Sequence, residues 1–156
     1  MSDKKFSDVL AKIPYSVSVV TVGVGGVENG LAVSWFSQVS FEPPMLMFSI
    51  AKTHYSTDLL KDHPNFVLNL LSADQKDVAA HFAKQSMLGE DKIDKFPTKL
   101  AASDVPILTD ALAYFDCQVR EMVEAGDHLL VLAEISDAGL LKQGQTLTSD
   151  SGMRYR

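Results

Sequence analysis

Runs of β-branched and apolar residues punctuated by Gly and Pro outnumber helical stripes in this chain. Phe6, Val9, Leu10 and Ile13 recur at helical spacing and Pro14 ends the pattern, which predicts a short amphipathic helix over residues 3–13, docked on the body. Residues 16–22 are β-branched, the glycine-rich stretch 23–30 supplies a hairpin connection, and residues 31–40 predict a second strand that pairs back on the first. Neither proline of Glu42-Pro43-Pro44 can donate to a ladder, so a turn precedes a buried strand over 45–51.

Ser56 or Thr57 can then cap a brief helix over 58–61, and residues 65–70 give another strand. Ser72 or Asp74 can cap a helix that ends at Ala83 and buries Val78, Ala79 and Phe82. Residues 84–104 are charged, weakly patterned and interrupted by Gly89 and Pro97, as expected of a surface excursion. From Ala111 the chain alternates through Tyr114, Asp116, Gln118 and Arg120, turns at Ala125-Gly126-Asp127 and returns over 129–136, the clearest long hairpin present. Lys142-Gln143-Gly144 marks one more turn. About six or seven strands with two or three short helices, without regular strand–helix alternation, predict a mainly β antiparallel barrel or sandwich. At 156 residues it should be a single domain, 1–156, with one core.

Composition narrows the function. Fourteen Lys plus Arg against twenty Asp plus Glu leave a formal charge of -6, which opposes attraction to nucleic acid or an anionic membrane. No stretch approaches the roughly 18 apolar residues of a spanning helix. No apolar signal segment follows Met1-Ser2-Asp3-Lys4-Lys5, so a cytoplasmic location is expected. Cys117 is the sole cysteine, and His54, His63, His81 and His128 share no metal-ligand spacing. Redox chemistry would therefore need an organic cofactor, and a metal enzyme is not expected.

Four stretches are candidates for chemistry. The Gly23, Gly25 and Gly26 segment does not spell a dinucleotide fingerprint and reads as a turn. In 29–40 polar residues are set into an apolar strand, with Ser34, Phe36, Gln38 and Ser40 on one side and Trp35, Ser37 and Val39 on the other. That pattern fits an edge strand's solvent face and a ligand wall equally well. In 49–57 a strand ends and a helix begins: helix-start N–H groups, the Ser56 and Thr57 hydroxyls and Lys52 together could neutralise a phosphate, a reading compatible with simple N-capping. In Gly126-Asp127-His128, Asp127 can orient His128, although Gly-Asp is also ordinary turn chemistry.

These stretches, in this order, resemble the flavin reductase-like family of FMN-binding split barrels. The likeness runs from about Tyr15 to Tyr155 and is strongest in 29–40, Phe41-Glu42-Pro43-Pro44, 66–71, 110–117 and Gly126-Asp127-His128. Within the family the chain is most similar to the reductase modules of flavodiiron proteins and to stand-alone flavoredoxins. The resemblance implies a split, Greek-key-like antiparallel β-barrel with short peripheral helices, working as a homodimer. It implies that Ala32, Val33, Ser34, Trp35, Phe36, Ser37 and Gln38 line the flavin, largely through backbone groups. It also implies that Ala51, Lys52, Ser56 and Thr57 hold the phosphate, that the region around Phe82 contributes across a two-fold interface, and that Tyr155 covers the site. His128 would position the nicotinamide or manage protons on reduced flavin. The implied activity is hydride transfer from NAD(P)H to FMN, with FAD as the alternative flavin. The competing readings are an FMN electron carrier serving a redox protein partner, and a β-barrel binding protein without redox chemistry.

Overall fold

A computed structural model describes residues 4–84 and 92–149. Its centre is a seven-stranded, wholly antiparallel sheet in the order β2-β1-β5-β8-β9-β4-β3. The strands are β1 (Ser18–Val22), β2 (Asn29–Val33), β3 (Phe36–Ser40), β4 (Met45–Ala51), β5 (Asn65–Leu70), β8 (Ala113–Ala125) and β9 (His128–Leu140). The two edge strands, β2 and β3, are consecutive in sequence and joined only by Ser34 and Trp35. A flat sheet of this size would hold its edges roughly 30 Å apart, whereas that link spans only about 10 Å. The sheet must therefore curl until its edges meet, which makes it a barrel.

This closure corrects the expectation of one strand over 31–40. The first half pairs with β1, Val33 opposite Ser18, and the second with β4, Phe36 opposite Phe48. One continuous strand cannot serve opposite edges of a sheet, so the chain breaks at Ser34–Trp35. The long hairpin is as expected and runs further, β9 continuing to Leu140; its turn holds Gly126 at φ 65°, a backbone conformation in which a side chain would be strained.

Val20, Val22, Leu31, Val33, Phe48, Ile50, Phe66, Leu68 and Val131 fill the interior. The rings of Phe48 and Phe66 meet edge-on with centroids 4.7 Å apart. Helix α2 (Tyr55–Asp62) closes one end with Leu59 and Leu60. It is longer than the predicted 58–61, and its N-cap is His54 in place of Ser56 or Thr57: the His54 Nδ1 accepts the Ser56 N–H at 3.0 Å. Helix α3 (Lys76–Ala83) packs on β2 so closely that a Cβ at Gly30 would lie 2.6 Å from the Phe82 ring. Neither Ser72 nor Asp74 caps it, its N-cap being Gln75 without a side-chain capping bond.

Two further expectations change. Helix α1 (Lys4–Leu10) buries none of its residues, and Phe6, Val9, Leu10 and, just after it, Ile13 all remain exposed, so this chain's own body leaves its apolar stripe largely uncovered. The 84–104 excursion is not all surface. Lys92 and Ile93 are buried, and β6 (Thr98–Leu100) pairs with β7 (Pro106–Leu108) in a small second sheet. Val105 and Ile107 pack on Val67, and a buried polar cluster fixes β7 to the barrel wall. The Asn69 amide donates to Val19 O at 3.0 Å and its Oδ1 accepts the Leu108 N–H at 2.9 Å, while the Thr21 hydroxyl donates to Pro106 O at 2.7 Å. Every polar atom in that cluster is thereby satisfied inside the wall.

Candidate functional site

The barrel seam gathers three segments that are distant in sequence. Closure brings Trp35 beside β4, where the Ser49 N–H donates to Trp35 O at 3.0 Å. The register of β4 on β9 sets Ala51 opposite His128, and the Lys52 N–H donates to Asp127 O at 3.1 Å. As a result the Trp35 and His128 rings lie 5.1 Å apart, inclined at 45°.

His128 is buried, with its Nδ1 2.7 Å from Asp127 Oδ1. An Nδ1–H donated to that carboxylate fixes the ring and leaves its chemistry to Nε2. Because the Asp127 side chain is 82% exposed, water screens its charge, and its main effect is to orient the ring. Beside the seam, a groove of about 390 Å³ is lined by Leu10, Tyr15, Ser34, Trp35, Phe36 and Met47. A second groove of about 430 Å³, at Leu112 and residues 140–144, contains none of the expected site residues.

The expected residues do not all come together. Ser34, Trp35 and Phe36 line the groove, while Ala51, Lys52 and His128 meet beside it. Val33 points into the barrel interior and Ala32 packs on the second core cluster on the opposite face, but as part of an edge strand β2 turns one row of backbone N–H and C=O groups away from β1. Ser37 and Gln38 are exposed on β3 and bond locally, the Ser37 hydroxyl to Gln38 O and the Gln38 amide to Ser40 O.

Ser56 and Thr57 lie beneath the Lys52 turn and not on its surface. Ser56 Oγ accepts from the Asn29 amide at 2.9 Å, the Thr57 hydroxyl donates to Ala51 O at 3.1 Å, and the Thr57 N–H is held by His54 O. The Thr57 hydroxyl thus braces the turn that presents Lys52, while Ser56 ties the start of α2 to β2. Phe82 is sealed under Gly30 in a core cluster with Val19 and Ala79, away from Trp35 and His128, because α3 needs a large apolar side chain at its contact with β2. Tyr155 lies outside the described residues.

Two participants escaped the sequence reading. His54 caps α2, and burial, followed by the Lys92 charge, pulls its pKa below the usual 6.5, which keeps Nδ1 free to accept. Glu124, near the end of β8, places Oε1 3.2 Å from Lys52 Nζ. Neither carried a signal: a histidine is an uncommon cap, and Glu124 meets Lys52 only through strand register. The Cys117 thiol is pushed up to about 12 by burial and the Asp116 charge, so it stays protonated at neutral pH as a core side chain.

An aromatic groove beside an oriented imidazole and an ammonium group suits a flat, polar-edged ligand that carries negative charge. Residues 10–155 match the model of the flavin reductase like domain, and the chain belongs to that family of flavin-binding oxidoreductases. Diflavin flavoprotein A 1 of Synechocystis sp. (strain ATCC 27184 / PCC 6803 / Kazusa) is 31% identical over 141 residues, covering 90% of this chain and 25% of that protein. The chain spans about a quarter of the length of the curated relatives it matches first. Among solved structures, the NADH:FAD oxidoreductase SgcE6 of Streptomyces globisporus C-1027 superposes with a TM-score of 0.86 at 29% identity, over 95% of this chain and 91% of that one. The flavin reductase PheA2 gives 0.82 at 28% identity, over 95% and 93%. The same SgcE6 protein has been solved with NAD and FAD fragments, TM-score 0.85 at 29% identity over 95% and 90%. Within the described residues no helix is long and apolar enough to cross a membrane.

Proposed function

We propose that this chain is an NAD(P)H:flavin oxidoreductase that holds FMN at the barrel seam. The observation that carries the reading is the convergence of Trp35, Ala51–Lys52 and His128 beside an aromatic groove in a member of the flavin reductase like family. The residues present fit the group. Trp35 and Phe36 offer aromatic contact to a flat ring, the outer backbone row of β2 continuing into Ser34 offers hydrogen bonds to its polar edge, and Lys52 offers charge to a phosphate. When bound, the flavin supplies hydride acceptance from a nicotinamide; the chain supplies orientation and electrostatics. His128, held by Asp127, orients the nicotinamide or accepts a proton at Nε2 beside the ring. Thr57 acts through the turn it braces, and Ser56 through its tie between α2 and β2. Phe82 leaves the binding set, since its ring is covered within its own chain.

A homodimer belongs to this reading. The uncovered apolar stripe of α1, with exposed Val39 on edge strand β3 and Phe41 just after it, supports it as surface for a second copy. Size-exclusion chromatography with light scattering tests this, and a monomer at micromolar concentration removes it.

The deciding experiment is steady-state oxidation of NADH and of NADPH with FMN or FAD added. Turnover well above that of free flavin is expected, and a rate no higher than free flavin alone gives overturns the reductase. A second reading, an FMN electron carrier for a protein partner, is favoured by the likeness to the diflavin flavoproteins, of which this chain matches only a quarter. Retained flavin near one per chain with slow nicotinamide oxidation would select the carrier.

A further inference from the structure

The Lys52 side chain is engaged before any ligand arrives. Its backbone is pinned to the tip of the β8–β9 hairpin by the bond to Asp127 O, and its Nζ lies 3.2 Å from Glu124 Oε1, one residue before β8 ends. The two side chains are 36% and 80% exposed, so this ion pair is weak and can be exchanged. A phosphate monoester carries a charge of about −1.5 to −2 at neutral pH and offers three acceptor oxygens. It therefore outcompetes a single carboxylate for the same ammonium.

We propose that Glu124 sets flavin specificity as an internal competitor: it holds Lys52 in an ion pair that a flavin phosphate must displace, which moderates the preference for FMN over riboflavin. This rests on the reading of Lys52 as the phosphate-side cation. The backbone of Lys52 is fixed while its four-carbon stem is flexible, so the ammonium can swing from carboxylate to phosphate without moving the strand. Glu124 thus costs FMN affinity and leaves the ring contacts alone. Salt weakens both the ion pair and the phosphate contact, so measurements belong at one fixed, low ionic strength.

The test is the dissociation constants of FMN and riboflavin, from quenching of flavin fluorescence, for the wild type, Glu124→Gln, Lys52→Ala and the double variant. Glu124→Gln is expected to tighten FMN about two- to fivefold, the scale of an exposed ion pair, to leave riboflavin unchanged, and to have no effect on FMN when Lys52 is alanine. The proposal is overturned if Glu124→Gln gives no gain, an equal gain for riboflavin, or the same gain in the Lys52→Ala background. A Lys52→Ala variant that keeps the wild-type ratio of FMN to riboflavin affinity removes the phosphate assignment as well. If Lys52→Ala collapses that ratio while Glu124→Gln leaves it unmoved, the functional reading stands and the competitor role alone falls. Thermal midpoints matching the wild type show that each variant is folded.

Discussion

Two polar clusters in this molecule, one of neutral side chains and one of ionisable ones, serve opposite ends. In the barrel wall, Thr21 and Asn69 are fully buried, and their partners are groups of the same wall and of β7 packed on it. At the seam, Lys52 and His128 are held by Glu124 and Asp127, whose side chains are 80% and 82% exposed. A buried group with fixed partners cannot exchange them without stranding a donor or acceptor away from water, so the first cluster can only hold the fold together. A group whose partner stands in water can trade it at little cost, so the second cluster is free to take a ligand.

The contrast can be broken most sharply at Asn69. Asn69→Leu strands the buried Leu108 N–H and removes a donor from Thr21 Oγ1 and Val19 O, and should lower unfolding free energy by about 3 kcal/mol. Urea denaturation checks this, and loss below about 1 kcal/mol would mean that the cluster is not what holds β7 to the wall. His128→Ala should slow flavin reduction roughly a hundredfold, the scale of a positioned acid–base group, with FMN affinity nearly unchanged. Stopped-flow reduction separates the two quantities, and strong loss of FMN would turn His128 into a binding residue. Lys52→Ala should weaken FMN about tenfold, the loss of a charge-assisted contact to phosphate, and riboflavin far less, without measurable loss of stability. Fluorescence titration measures both, and equal weakening would move the phosphate elsewhere.

The smallest expected effect tests the cap between the two clusters. His54 has its pKa lowered in the fold, by burial first and then by Lys92, so the unfolded chain binds its proton more readily. Its contribution is fully present above the ordinary 6.5 and is lost as pH falls from there towards the lower folded value. Unfolding free energy should decline across that window in the wild type. The decline should be shallower in His54→Asn, which keeps a capping side chain but does not titrate.

Much of the fold was legible because its signals are local. The β8–β9 hairpin is alternation around a Gly-Asp turn, and neither needs anything beyond neighbouring residues. The break at Ser34–Trp35 was not legible, because 29–40 is a plausible single strand until its two halves are known to lie at opposite edges of one sheet. The β6–β7 pair was missed for a related reason: its residues lack periodicity, and what orders them is burial against Val67 and the reach of the Asn69 side chain. At the site, Trp35, Lys52 and His128 were each found singly, while their meeting was implied only by resemblance.

The sequence by itself determined the mainly β character, the family, and the aromatic, cationic and imidazole groups the site uses, because residue type, turn chemistry and ordered motifs are properties of the chain read in line. Tertiary structure alone decided which hydroxyls face inward, that His54 caps α2, that Phe82 lies under Gly30, and that Glu124 rather than solvent meets Lys52. Those outcomes depend on strand register and on barrel closure. Both are set by the balance of packing over the whole core, and no window of sequence contains that balance.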